Sequence, residues 1–596
     1  MRKLILLSIA CLTLTVPRVV CGAEKRAPKR AYKSGKSVET PTVRRWLSSL
    51  TLSQKVAQLV VIPFYGEAPN TRSRQYQRFI RLVRDQRVGG LVLINRIVRG
   101  IQRAEPYALA AFLNRMQRLA PIPLIVAGDF ERGASMRVDG TTLFPHAMAF
   151  AAAGDPQATR YAGEITARDS RALGVHWIFF PVADVNSNPD NPIINIRSFG
   201  ENPRQVSEHV RAFIEGARSD AGNRVLTTAK HFPGHGDTAV DSHLEMPAIQ
   251  SDRAHLESVE LVPFRAAIEA SVDSIMTAHI AVPAMDPANL PATLSPATMT
   301  GLLRDELKFT GLVVTDALEM GGIAKGFASG EAAVRALEAG ADVLLMPPDP
   351  EAAIRAVVAA VKQGRLTAKR IDQSVARVLE AKQHVGLDRN RLVDLEAIAE
   401  VINSPESAER AQQIADRAVT LVKNENAAVP LRNPKDAAFV ILAESRHSTG
   451  GVALSRELVQ RGVAAQTIAL DPTMPDSDLD AAARKAATSA EIVVMAFASV
   501  GVYQGGLALP GNFPKLIDTL IASGRPVTLV SLGSPYLVRS FPKAGAYLTT
   551  YSPVATAEVS AVKALFGEID ISGHLPVTIP GIADFGFGII VPRRAR

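Results

Sequence analysis

The chain has 596 residues, too long for one ordinary domain, and 47% of them are hydrophobic and 21% charged, a composition that supplies large cores. The formal charge is +9, but much of the excess sits in "EKRAPKRAYKSGK", Glu24 to Lys36, and no basic stripe with interleaved aromatics follows, which argues against a nucleic-acid partner. The two cysteines, Cys11 and Cys21, lie near the N-terminus, so disulfides, cysteine nucleophiles and thiolate metal sites are excluded from the rest of the chain.

The chain starts with "MRKLILLSIACLTLTVPRVVCGAEKR": a basic start, an apolar run and a small-residue exit near Ala23. That order fits a secretory signal over residues 1–23, with an apolar run shorter than a bilayer span. Export to the periplasm or beyond follows. A lipid-anchored form through Cys21 is the alternative, although Val20 is a poor residue before a modified cysteine. Residues 24–45 read as a basic, solvated arm able to contact an anionic wall polymer or membrane surface.

From Val56 to Pro347, eight short apolar runs alternate with helical patterns: "VAQLVVIPF", "GGLVLIN", "PLIVAGD", "GVHWIFFPVAD", "VLTTAKH", "SIMTAHI", "GLVVTDAL" and "ADVLLMP". Near-continuous apolar strands separated by helices predict parallel βαβ units, and eight of them predict a (β/α)8 barrel, here placed at residues 46–390. Chemically capable residues recur where these strands end: Asp129 and Glu131, Asp184, Lys230 and His231, His279, Asp316. A barrel builds its active site from those ends, so residues far apart in sequence would converge. A helical linker is expected at 391–415. A second alternating series, "AVTLVKNE", "AAFVILAE", "AAQTIAL", "IVVMAFAS", "PVTLVSLGS" and "AGAYLTTYS", then predicts an α/β sandwich domain over 416–596.

The densest polar stretch is "AKHFPGHGDTAVDSH", Ala229 to His243. A metal reading is weak, because Pro233, Gly234 and Gly236 prevent a helical histidine pair and no cysteine completes a ligand set. A turn-forming reading suits Pro233, Gly234 and Gly236 but not the whole string. An acid–base reading uses Asp241 and His243, which point the same way in an extended loop, so that the carboxylate fixes one ring nitrogen and the other handles a proton.

"KHFPGHGDT…DSH", with "GDFERGASMR" (Gly128–Arg137), "NIRSFGENP" (Asn195–Pro203) and "VVTDALEM" (Val313–Met320), resembles the bacterial β-N-acetylglucosaminidases of glycoside hydrolase family 3 in motif order. The resemblance implies that Asp316 is the nucleophile, and that His243, partnered by Asp241, is the acid–base. It also implies that Asp129, Arg137, Arg197, Lys230 and His231 bind the sugar. It implies retaining removal of terminal GlcNAc from muropeptides or chitooligosaccharides, with no cofactor and no metal. A phosphorylase or a β-glucosidase of the same family is the alternative, and a non-catalytic wall-binding protein a weaker one. The sequence departs from the commoner family form in placing Arg132 and Gly133 where a glycine pair follows the acidic residue, which leaves the shape of that subsite open. Arg137 could instead be a surface arginine paired with Asp139, Glu131 could position Arg137, and His279 could be a packed, hydrogen-bonded histidine. The oligomeric state is not fixed by these residues.

Overall fold

The computed structural model describes residues 40–595, apart from 68, 99 and 499–507. The stretch expected to be an export signal, both cysteines and most of the expected basic arm lie outside the described residues. The last residues assigned to the arm belong to a helix instead: α1 (Pro41–Ser48) is capped by Thr40, starts on a proline and buries Val43. The capping hydroxyl and N1 proline set its start, and arginines at its solvent face account for the basic composition.

The eight expected strands all form. They are β1 (Val60–Phe64), β2 (Gly90–Leu93), β3 (Ile125–Gly128), β4 (Trp177–Ile178), β5 (Leu226–Phe232), β6 (Ser274–Thr277), β7 (Leu312–Thr315) and β8 (Leu344–Leu345). All neighbours pair in parallel, and β8 returns to β1 through Val60↔Leu344 and Val61↔Leu345. One bridge, Val314↔Val343, links β7 to the entry of β8, so the barrel is nearly closed. Almost every strand residue is buried, as required when helices cover the outside and side chains fill the inside. Trp177 packs in the interior, and its indole N–H donates to Thr228 (2.8 Å) and Ser274 (2.9 Å), which satisfies the one polar atom of that large ring.

The linker is helical: α2 (Pro405–Ala418), capped by Ser404, leads into the second sheet. That sheet contains β9 (Thr420–Asn424), β10 (Ala437–Leu442), β11 (Thr467–Leu470), β12 (Glu491–Ala498), β13 (Val527–Gly533) and β14 (Ala546–Thr549). Their order is β9-β14-β13-β12-β10-β11, parallel except for the antiparallel edge strand β9. Separate apolar clusters line its two faces, one around Phe439 and Leu548 and the other around Val494 and Tyr547, so it is an open sheet covered on both sides. No helix among the described residues is long and apolar enough to cross a membrane.

The second domain touches loops above the barrel. Asn186 donates to the Tyr536 hydroxyl (3.1 Å), Arg539 pairs with Asp190 (2.6 Å), and Thr578 donates to Glu201 (2.7 Å). His146 Nδ1 lies 2.7 Å from the Ser552 hydroxyl. The first three of these contacts reach the long loop after β4, which carries Arg197 toward the barrel mouth.

Candidate active site

The mouth is organised by two carboxylates from the loop after β3. Lys230, at the end of β5, donates from Nζ to Asp129 (2.9 Å) and to Glu131 (2.8 Å). Arg137 donates to the second oxygen of Asp129 (2.8 Å). Arg197 grips Glu131 in bidentate fashion, Nε at 2.9 Å and Nη2 at 2.8 Å. Asp139, which could have held Arg137, lies beside Arg103 instead. Glu131 does not position Arg137. It fixes Arg197 and Lys230, which sequence reasoning did not assign to it.

Burial opposes ionisation of both acids, but the cations prevail: Asp129 is held down to about 2 by Lys230 and Arg137, and Glu131 well below its ordinary value by Arg197 and Lys230. Burial also works against the Lys230 charge, yet Asp129 and Glu131 raise its pKa. The result is a set of ionised groups whose orientations are fixed by one another, offering donors and acceptors suited to vicinal hydroxyls.

Asp184, after β4, is fully buried and works behind this layer. It accepts from the ring of His231 (Nδ1, 2.7 Å) and from the backbone N–H groups of His231 (3.0 Å) and His235 (2.8 Å). Burial pushes its carboxyl up, and His231 more than offsets this. Asp184 thus serves as an anchor for the β5 loop. His235 is a second anchor, its two ring nitrogens engaged by Thr238 (2.8 Å) and Ser242 (2.9 Å). Among the described residues no group of three His, Cys, Asp or Glu side chains is arranged to hold a metal ion.

The same loop carries Asp241 and His243. Asp241 is buried and accepts from His243 twice, from Nδ1 (2.8 Å) and from the backbone N–H (2.9 Å), while the imidazole stays 20% exposed. Because an ionised carboxylate only accepts, Nδ1 carries the proton and the outer nitrogen, Nε2, is the one whose protonation can change.

Asp316 follows β7. Its Oδ1 accepts from the N–H of Ala317 (2.7 Å), and its own N–H donates to the Thr277 carbonyl (3.2 Å). Burial would raise its pKa, but His231, His279 and His243 surround it and lower it, so the carboxylate is the resting form. His279 is a packed histidine with a specific task. Its Nε2 donates to the Ala317 carbonyl (3.0 Å) and its Nδ1 is 2.8 Å from the Thr293 hydroxyl, which pins the peptide next to Asp316.

The histidine loop is fastened to the turn after Asp316. Gly321 N donates to the His243 carbonyl and Gly322 N to the Ser242 carbonyl, each at 3.2 Å. A Cβ at Gly321 would stand 2.6 Å from the His243 carbonyl oxygen and 2.7 Å from that of Leu244, so only glycine admits this approach. The pair "GG" after "DALEM" is the sequence signal for this contact.

The matches to known proteins follow the same two-part layout. Residues 51–381 match the glycosyl hydrolase family 3 N terminal domain, and residues 419–585 match the glycosyl hydrolase family 3 C-terminal domain. The chain belongs to glycosyl hydrolase family 3. This family 3 enzyme is a glycoside hydrolase by that membership. It is 27% identical over 558 residues to a β-N-acetylglucosaminidase/β-glucosidase of Cellulomonas fimi, covering 90% of this chain and 95% of the relative. The solved structure of a family 3 β-N-acetylglucosaminidase from Paenibacillus sp. str. FPU-7 superposes with a TM-score of 0.79 at 32% identity, over 89% of this chain and 99% of that one. A β-glucoside phosphorylase bound to 2FGlc superposes with a TM-score of 0.78 at 25% identity, over 90% of this chain and 96% of that one.

Proposed function

We propose that this family 3 enzyme is a retaining exo-β-N-acetylglucosaminidase that removes terminal GlcNAc from muropeptides or chitooligosaccharides outside the cytoplasm. The observation that carries the reading is the Asp241–His243 pair, stitched through Gly321 and Gly322 to the turn beside Asp316. An orienting carboxylate, a partly exposed imidazole and an ionised aspartate are the parts needed for two successive displacements.

In the first, an oxygen of Asp316 attacks the anomeric carbon as the bond to the aglycone oxygen breaks. His243, protonated on Nε2, delivers that proton to the departing oxygen. In the second, water gives a proton to Nε2 and its oxygen attacks the same carbon, releasing the Asp316 carboxylate. Two inversions give net retention. Asp241 stabilises the imidazolium in the first step and holds the tautomer in both. Asp129, Arg137, Arg197, Lys230 and His231 hold the sugar hydroxyls, and their network is ordered before substrate arrives, so little reorganisation opposes the displacement. The sequence of the N-terminus supports the export part of this reading.

Hydrolysis of 4-nitrophenyl β-N-acetylglucosaminide beside the matching glucoside tests the specificity, with the anomer released read by NMR. A preference for the glucoside, or an inverted product, defeats the proposal. A phosphorylase is the second reading, favoured by the superposed β-glucoside phosphorylase. In it, phosphate replaces water in the second displacement, and a sugar 1-phosphate among the products distinguishes it.

A further inference from the structure

The loop that carries Asp129, Glu131 and Arg137 also carries the half-buried Arg132, one of whose guanidinium nitrogens is left without a partner among the described residues. Arg132 Nη1 is out of reach of solvent, and among the described residues it has no hydrogen-bond partner. Arg137 Nε, five residues on, is buried and unpartnered in the same way. The neighbouring acids are spoken for. Glu131 is taken by Arg197 and Lys230, Asp129 by Lys230 and Arg137, and Asp139 lies beside Arg103.

Two further observations say that the positive charge is only partly compensated. Burial lowers the pKa of Arg132 to about 9, the positive charges of Arg103 and Arg137 add to the effect, and Glu131 opposes it without offsetting it. His146, whose ring lies in the same electrostatic surroundings, is held neutral first by burial and then by Arg132, its pKa brought down to about 3. Burying a cation without a counter-charge is costly, and a planar guanidinium is shaped to receive two oxygens of one anion. Backbone geometry does not demand an arginine here. Gly133 must be glycine, with φ at +81° and the Thr142 carbonyl oxygen 2.9 Å from where a Cβ would stand, whereas Arg132 is not among the residues with positive φ.

We propose that Arg132, backed by Arg103 and Arg137, forms an oxyanion-binding corner of the sugar pocket. This rests on reading that pocket as the site where the sugar binds. The chemistry recognised is a carboxylate, phosphate or sulfate group. Two sources could bring it there: an acidic substituent of the glycoside itself, or free inorganic phosphate as the acceptor of the second displacement.

The experiment compares wild type, Arg132→Gln and Arg132→Lys. Each is given 4-nitrophenyl β-N-acetylglucosaminide, its ring-carboxylated analogue and its sugar 6-phosphate, with the three matching glucosides alongside. The neutral substrate is also titrated with inorganic phosphate, and products are read by NMR. The expected result is a kcat/KM ratio of charged to neutral substrate about tenfold or more above that of Arg132→Gln, with the ratio restored in part by Arg132→Lys. If the anion is free phosphate, the ratio stays flat, but the rate saturates with phosphate and N-acetylglucosamine 1-phosphate appears, both dependent on Arg132.

A ratio within about twofold of the Arg132→Gln value for every substrate, with no saturable response to phosphate, overturns the proposal and leaves water as the partner of Nη1. Should Arg132→Gln not fold, the Arg132→Lys comparison and the wild-type phosphate titration still decide the matter. A charge preference seen on the glucosides but not the N-acetylglucosaminides would keep the oxyanion corner and reject the GlcNAc specificity.

Discussion

The two ends of the barrel bury carboxylates and arginines in different ways. At the entry end, Asp342 receives Arg304 (2.7 Å), Arg377 (2.9 Å), the hydroxyl of Ser374 and the N–H of Val313 (3.1 Å). The arginines there outnumber the acid, yet their spare donors reach backbone carbonyls: Arg304 finds those of Phe309 and Gly311, and Arg370 that of Ala341. At the mouth, Asp129 and Glu131 are equally well held, but Arg132 and Arg137 keep buried donors with no acceptor among the described residues. The floor closes its own electrostatic account, as a stabilising cluster should, and the mouth leaves donors for something that the chain does not supply.

The largest effect that would sharpen this contrast is at Asp316. Asp316→Asn should lower kcat for an aryl N-acetylglucosaminide on the order of 10⁴-fold while leaving the melting temperature near the wild-type value. A variant that keeps its activity removes the proposed nucleophile. The floor should behave oppositely. Asp342→Asn strands buried arginines and should cost about 3–5 kcal/mol in urea unfolding, while the folded fraction keeps its kcat. Loss of kcat without loss of stability would break the division between the two ends.

A third test concerns Glu260, buried under the histidine loop with its side chain packed against Gly234, where its nearest partner is His255, with Nε2 3.8 Å from Oε1. Burial raises its pKa to about 7, with Asp184 and Asp237 adding to the rise and His255 opposing it. A folded-state pKa above the unfolded one means that the native protein holds a proton that the unfolded chain releases. The stability so gained is complete below about pH 4.5 and is lost as pH rises through about 7. Glu260→Gln should remove that dependence, so that between pH 5 and pH 8 wild type loses about 2–3 kcal/mol more than the variant in chemical denaturation. Parallel stability curves would show that the carboxyl is satisfied in some other way. The smallest effect is expected at Gly321. Gly321→Val should push the loop away from the His243 and Leu244 carbonyls and reduce kcat about tenfold, with azide failing to rescue it because the imidazole is displaced rather than missing. Unchanged kcat would mean that the loop closes without this contact.

Much of the fold could be read from residue order. The eight barrel runs and six sandwich runs are continuous apolar segments, and burial on both faces leaves no other pattern for a parallel strand. The candidate site was legible where chemistry and strand end coincide, as at Asp129, Lys230, His231 and Asp316, and where two residues are close in sequence, as in Asp241–His243. Glu131, Asp184 and His279 were harder. Each acts through a partner tens of residues away, Glu131 on Arg197 and Lys230, Asp184 on the β5 loop and His279 on the Ala317 carbonyl, and nothing local marks such pairings. The helix over 41–48 was missed because its basic face resembles the arm before it.

Sequence alone thus determined the two-domain α/β plan and the supply of polar groups to one end of the barrel, because hydrophobic periodicity and strand termini are local properties. Tertiary structure decided which acid holds which base, and which arginine is left over. Those outcomes depend on donors and acceptors meeting at hydrogen-bond distance in a low-dielectric interior, and only the closed barrel brings them together.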